Sequence, residues 1–191
     1  MMTKLTLGLY QTNTYILSGG NEAVVIDPGY EADTILDALQ GKKLAAILLT
    51  HGHFDHVGAV RELVAETGCR VYIHAAELTM PPMVTAGQLY YTHTYSEGDT
   101  ITPIPGVELH VLHTPGHTPG SVCLLWKDQM FSGDTLFEGS CGRIDLPGGT
   151  PTQMMASLRR LASLEADYHI HPGHGGSTTL AQEKRYNPYL R

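Results

Sequence analysis

The sequence predicts an α/β protein in which two sheets pack together and helices cover their outer faces. Three observations carry this. Apolar runs of strand length recur in both halves of the chain, each half also holds stretches of helical period, and turn residues rather than linkers separate them. With 191 residues and 42% hydrophobic content, residues 1–191 are expected to form a single domain.

The elements follow in order. Leu5 to Leu9, Tyr15 to Leu17 and Ala23 to Ile26 read as strands of a meander, the third closed by Asp27-Pro28-Gly29. Between Glu31 and Gln40, Ala32, Ile35, Leu36 and Leu39 fall at i, i+3, i+4 and i+7 ahead of Gly41, which predicts an amphipathic helix. Leu44 to Leu49 is continuously apolar, the pattern of a strand covered on both faces. A helix is expected from Val57 to Gly68 and a short strand from Val71 to Ile73. Ala75 to Ser96 lacks a period and reads as a surface excursion, whose Met80, Met83, Tyr90, Tyr91 and Tyr95 either line a pocket or pack as ordinary side chains. Strands resume at Glu108 to Leu112, Ser121 to Trp126 and Met130 to Ser132. Thr150 as N-cap, Pro151 at the first helical position and Gln153 closing a capping box mark a further helix, and Tyr168 to His171 forms the last strand.

Composition narrows the function classes. Twelve Lys plus Arg against 19 Asp plus Glu give a net charge of −7, which argues against a nucleic-acid partner. The first twenty residues show neither a secretory signal nor a membrane anchor, and no apolar run approaches the ~18 residues of a spanning helix. Cys69, Cys123 and Cys141 are odd in number and unrelated in spacing, so a reducing, cytoplasmic setting is expected. Eleven histidines in an acidic chain direct attention to metal ligands.

The densest signal is Thr50-His51-Gly52-His53-Phe54-Asp55-His56, directly after the buried strand. On a helix, residues two apart diverge around the axis; at a strand-to-helix turn His51 and His53 can face one ion, with Asp55 and His56 opening the next helix beside them. Imidazole nitrogen and carboxylate oxygen suit zinc, iron or manganese. Three later segments have the same form, a His or Asp in a glycine-containing turn after an apolar strand: Thr114-Pro115-Gly116-His117, Ser132-Gly133-Asp134 and Pro172-Gly173-His174-Gly175. His74, His93, His110, His113, His169 and His171 are read as structural, with His113 and His171 near enough to these turns to support them.

The His51 to His56 segment, His117, Asp134, His174 and Asp27 together resemble the metallo-β-lactamase superfamily. Gly133 to Phe137, Gly142 to Gly149, and Pro172-Gly173-His174-Gly175 through Asn187-Pro188 resemble its short glyoxalase II-like (hydroxyacylglutathione hydrolase-like) members. The resemblance implies a four-layer αβ/βα sandwich of two mixed sheets, with metals at the sheet edges. It also implies that His51, His53 and His117 bind one divalent ion, that Asp55, His56 and His174 bind a second, and that Asp134 bridges them. Arg143 matches a substrate-binding position, whereas Asp145 stands where those enzymes have a tyrosine, and their C-terminal helical glutathione-binding domain is not matched. The secreted β-lactamases of the superfamily use a cysteine at or near Asp134 and carry signal peptides, so antibiotic hydrolysis is not expected.

The expected chemistry is hydrolysis of a small-molecule thioester such as S-lactoylglutathione. Two cations, most simply zinc, would hold a water between them and lower its pKa, supplying hydroxide near neutral pH, and Asp55 would orient it. A thiolate leaves without a general acid. Asp27 either fixes a ligand imidazole or ends a strand turn. Arg143 either anchors a substrate carboxylate or pairs with Asp145 in its own loop. The rival reading is a persulfide dioxygenase-like oxidoreductase with a single iron, which needs only part of the ligand set.

Overall fold

A computed structural model describes residues 1–85 and 87–190; Ala86, inside the expected excursion, and Arg191 lie outside the described residues. The first sheet joins β1 (Met2–Leu7), β2 (Thr12–Gly19), β3 (Glu22–Ile26), β4 (Lys43–Leu48), β5 (Arg70–His74) and β6 (His93–Tyr95), in that spatial order. β1 to β3 pair antiparallel and β3 to β6 parallel. The second sheet contains β7 (Thr100–Ile104), β8 (Val107–His113), β9 (Val122–Trp126) and β10 (Gln129–Gly133). A hairpin of β11 (Leu136–Phe137) and β12 (Ser140–Cys141) follows, and β13 (His169–Pro172) and β14 (Thr178–Thr179) complete the second sheet in the order β14-β13-β10-β9-β8-β7. Within it only the β10–β13 pair is parallel.

Strand alternation sorts the apolar residues into layers, since successive side chains point to opposite faces. Tyr15, Leu17, Val24, Ile26 and Leu48 point inward and meet Leu109, Val111, Val122, Leu124 and Phe131 between the sheets. Their neighbours Ile16, Val25, Ile47, Leu49, Val71 and Ile73 point outward, against α1 (Ala32–Ala38) and α3 (Val60–Thr67). On the far side Leu112, Cys123, Met130 and Ile170 meet Met154, Leu158 and Leu161 of α4 (Pro151–Ala162) and Leu180 of α5 (Leu180–Tyr186). The protein is therefore the four-layer α/β sandwich expected from the sequence.

Several boundaries differ from the expectation. The first strand ends at Leu7, because Gly8 and Gln11, both at positive φ, turn the chain into β2 and leave Leu9 fully out in solvent. The helix expected from Val57 to Gly68 is two helices, α2 (Phe54–Val57) and α3. The break has a tertiary cause: the Ala59 amide donates to the Pro28 carbonyl at 3.0 Å, and Gly29 lies so close that a Cβ there would fall 1.8 Å from the Asp55 carbonyl oxygen. Thr150 is the N-cap residue of α4, but its side chain makes no capping hydrogen bond; its backbone N–H is instead tied to the Gly116 carbonyl at 2.8 Å. β6 and the 3₁₀ turn Ala75–Thr79 lie inside the expected excursion, and β7, the β11–β12 hairpin and α5 escaped the sequence reading. The start of α5 did carry a signal, a capping box in which the Thr179 hydroxyl accepts from the Gln182 N–H.

Candidate metal centre

The turns that carry the candidate ligands all leave the same edge of the sandwich. Asp27 follows β3 and His51 to His56 follow β4 in one sheet, while His117, Asp134 and His174 follow β8, β10 and β13 in the other. Parallel pairing of β3 with β4 and of β10 with β13 brings these strand ends together.

His51, His53 and His117 form one group and Asp55, His56 and His174 another, with the candidate donor atoms within each group no more than 4.8 Å apart. Asp134 stands between them: Oδ1 is 3.4 Å from His56 Nε2, and Oδ2 is 3.5 Å from both His117 Nε2 and His174 Nε2. His53 Nδ1 is 2.8 Å from His117 Nε2, and His174 Nε2 is 3.2 Å from Asp55 Oδ2. All seven sequence-predicted ligands are thus brought together.

Most of the imidazoles are oriented by a contact at the nitrogen that faces away from this centre. The Nδ1–H of His117 donates to the Arg143 carbonyl at 2.7 Å and that of His174 to the Tyr10 carbonyl at 3.0 Å. A carbonyl accepts only, so in each of these rings Nδ1 is the donor to the main chain and Nε2 is the nitrogen that faces the centre. His51 Nδ1 lies 3.1 Å from the Thr50 hydroxyl, and His56 Nδ1 lies 3.0 Å from Asp27 Oδ2. The Asp27 carboxylate also accepts the Thr50 N–H (2.7 Å) and hydroxyl (2.6 Å), with its own backbone at φ 51°. Asp27 thus ends the strand turn and holds a ligand imidazole at the same time.

Three buried polar atoms, His51 Nε2, His53 Nε2 and Asp134 Oδ1, find no hydrogen-bond partner in the protein. Orphaned acceptors are rare in folded chains, and here they cluster with carboxylates in a donor set that fits divalent cations. Burial, then the charge on nearby histidines, holds His51 far below its ordinary pKa, and burial followed by His117 holds His53 at about 4. These two are neutral imidazoles near pH 7, the form that ligates. For His56 burial opposes the charge, but Asp134 and Asp27 outweigh it and raise its pKa well above the usual range. Asp134 is held down by His56 and His117 against the effect of its own burial. In the protein alone, protons shared with carboxylates hold the second group together, and a cation would replace them.

The centre forms the floor of a cavity of about 600 Å³. Tyr10, Phe54, Met83, Val84, Phe137 and Leu146 form its apolar wall, and Cys141 and Arg143 also line it. Arg143 donates to both oxygens of Asp145 at 2.7 and 2.8 Å, so the ion pair within the loop is formed by a side chain that also borders the cavity. Of the five excursion residues considered for a pocket, Met83 alone lines this cavity. Met80 is buried, Tyr90 packs on the first sheet's outer core, and Tyr91 borders a separate groove. Tyr95 follows the other alternative, ordinary packing: it is buried between the sheets with its hydroxyl donating to the Leu49 carbonyl. His113 supports the His117 turn by a contact to the Pro119 carbonyl at 2.8 Å, whereas His171 contacts Gln129 and Ser177. The sequence reading missed Tyr10 and Glu77. Nothing in the aperiodic segment around Glu77 marks it as near a metal.

Residues 7–174 match the family described as the metallo-beta-lactamase superfamily. Among curated relatives, the hydroxyacylglutathione hydrolase GloC of Haemophilus influenzae is 33% identical, with 94% of this chain and 92% of the relative covered. The solved structure of BLEG-1 B3 metallo-beta-lactamase superposes with a TM-score of 0.90 at 36% identity, over 100% of this chain and 99% of that one. TTHA1623, solved in a di-iron-bound form, superposes with a TM-score of 0.87 at 41% identity, over 98% and 100%.

Proposed function

The chain belongs to the metallo-beta-lactamase superfamily, and from that premise we propose that it is a dinuclear metal-dependent hydrolase that cleaves a small-molecule thioester such as S-lactoylglutathione. One observation carries the reading: two groups of three ligands share Asp134 at the floor of a cavity open to a small molecule. Members of this superfamily bind metal ions through such His and Asp clusters. Zinc is our expected occupant, although iron or manganese suits the same donors and one solved neighbour holds two irons.

His51, His53 and His117 would hold one ion, Asp55, His56 and His174 the other, with Asp134 between. When bound, the pair supplies a Lewis acid for the thioester carbonyl and acidifies water at neutral pH. The chain's own residues do the rest. Asp55 borders the cavity, with the Thr12 hydroxyl 3.4 Å and His174 Nε2 3.2 Å from its Oδ2, which supports its carboxylate as the group that would orient the attacking water. The apolar wall excludes bulk water and takes the acyl or thiol arm, which strengthens the electrostatics at the floor. Arg143 offers the substrate a guanidinium at the rim. Cys69, Cys123 and Cys141 are unpaired, which suits a cytoplasmic setting. No helix among the described residues is long and apolar enough to cross a membrane.

The test is metal analysis of protein purified without added metal, paired with turnover of S-lactoylglutathione. Two ions per chain with thioester cleavage are expected. One iron per chain with oxygen consumption on glutathione persulfide and no thioester cleavage would replace this reading with the mononuclear oxygenase. β-Lactam turnover exceeding thioester turnover would replace it with the activity named for the B3 neighbour. Arg143→Ala should raise KM for an anionic thioester more than it lowers kcat, because an anchor remote from the carbonyl contributes uniform binding. An unchanged KM would leave Arg143 as the partner of Asp145 only.

A further inference from the structure

Glu77 sits in the 3₁₀ turn after β5 and is completely buried. Each of its oxygens accepts a backbone N–H from a different ligand-bearing turn. Oε2 takes the Gly52 N–H at 2.6 Å, and Gly52 lies between His51 and His53. Oε1 takes the Gly120 N–H at 2.7 Å, three residues after His117. The first turn leaves one sheet and the second belongs to the other, so a single carboxylate joins the two sheets at the level of the candidate centre. The fit is tight: a Cβ at Gly52 or at Gly120 would fall 2.9 or 2.8 Å from the carboxylate.

A side chain so buried needs compensation. Burial pushes the Glu77 carboxyl upward, and the opposing contributions come from Thr118, the Gly120 and Gly52 amides and the charge of His117. The groups that compensate its burial are therefore components of the ligand turns. A carboxylate supporting only the core would be expected to find its partners elsewhere.

We propose that Glu77 is a positioning residue, which sets the spacing of the His51–His53 turn against the His117 turn and thereby the cation affinity of the site those three histidines form. The inference rests on the reading of these histidines as one cation site. Glu77 acts through main-chain amides. Glu77→Gln keeps one acceptor but turns an NH₂ group toward the other N–H, so one of the two tethers is lost at almost constant volume. Removing a partner one step behind a metal ligand costs about tenfold to a hundredfold in affinity.

The experiment is competitive Zn²⁺ titration of the chelator-treated full chain in two backgrounds. His174→Ala disables the second site and leaves the His51, His53 and His117 site; His53→Ala does the reverse. Adding Glu77→Gln should weaken the remaining site about tenfold to a hundredfold in the His174→Ala background. In the His53→Ala background it should change affinity by less than about twofold. Equal losses in both backgrounds, or a lowered Tm of the metal-free protein with both affinities kept, would overturn the proposal. Where Glu77→Gln fails to fold, Glu77→Asp is read by the same criteria, since the shorter side chain keeps its charge but cannot span both amides. A parent protein that binds none of zinc, iron and manganese would refute the metal-site reading itself, which separates the two failures.

Discussion

His53→Ala protein is expected to bind fewer metal ions than the parent and to lose at least about a hundredfold in kcat/KM, because the cation supplies several kcal/mol of transition-state stabilisation. The metal-free fold should survive. His53 stands at the N-cap of α2 with extended backbone, and its ring packs edge-on against His51 and His117 at centroid distances of 4.9 and 4.6 Å. Without a cation these rings are desolvated donors and acceptors crowded together, and burial with His117 holds His53 at about 4. Removing one ring relieves that cost. The Tm of the variant with chelator present should therefore equal or exceed that of the parent, while the rise in Tm on adding metal shrinks, since only a ligand bound to the native state stabilises it. Metal analysis and paired melting curves test this. Full metal content with parental activity would remove His53 from the centre.

Gly173→Ala should be as damaging, for a different reason. A Cβ at Gly173 would lie 2.2 Å from Asp134 Oδ1 and 2.6 Å from His56 Cε1, inside the carboxylate that joins the two groups. The backbone cannot retreat, since the Gly173 N–H donates to the Gly133 carbonyl at 2.8 Å and its carbonyl accepts from the Asn13 N–H at 2.7 Å. Asp134 must rotate away, so metal content should fall and activity with it, by at least about a hundredfold. Gly175, two residues on in the same motif, is the control. It has open space around its Cβ direction and a φ of +79°, so Gly175→Ala should cost only about 1 kcal/mol of backbone strain and leave metal binding intact. Equal metal content and activity for Gly173→Ala and Gly175→Ala would disprove the steric account.

The two glycines show how much of the centre was legible. In the sequence they are equivalent members of Pro172-Gly173-His174-Gly175; the positions of Asp134, 39 places earlier, and of His56 make Gly173 the one with no room for a side chain. Asp27 is similar: its place after a strand was visible, but its contact with His56 depends on β3 pairing parallel to β4. The helix break at Gly58 escaped notice because local periodicity is continuous there, and the chain that interrupts it is Pro28-Gly29.

From the sequence alone came the chemical identity of the donors, the strands that precede them and the layer order, because donor type and hydrophobic period are properties of a residue and its near neighbours. Tertiary structure decided which nitrogen of each imidazole faces the centre, which aromatic rings wall the cavity, and that Glu77 bridges two turns. These depend on strand register and sheet packing, which set distances between residues far apart in the chain, and no local pattern encodes such distances.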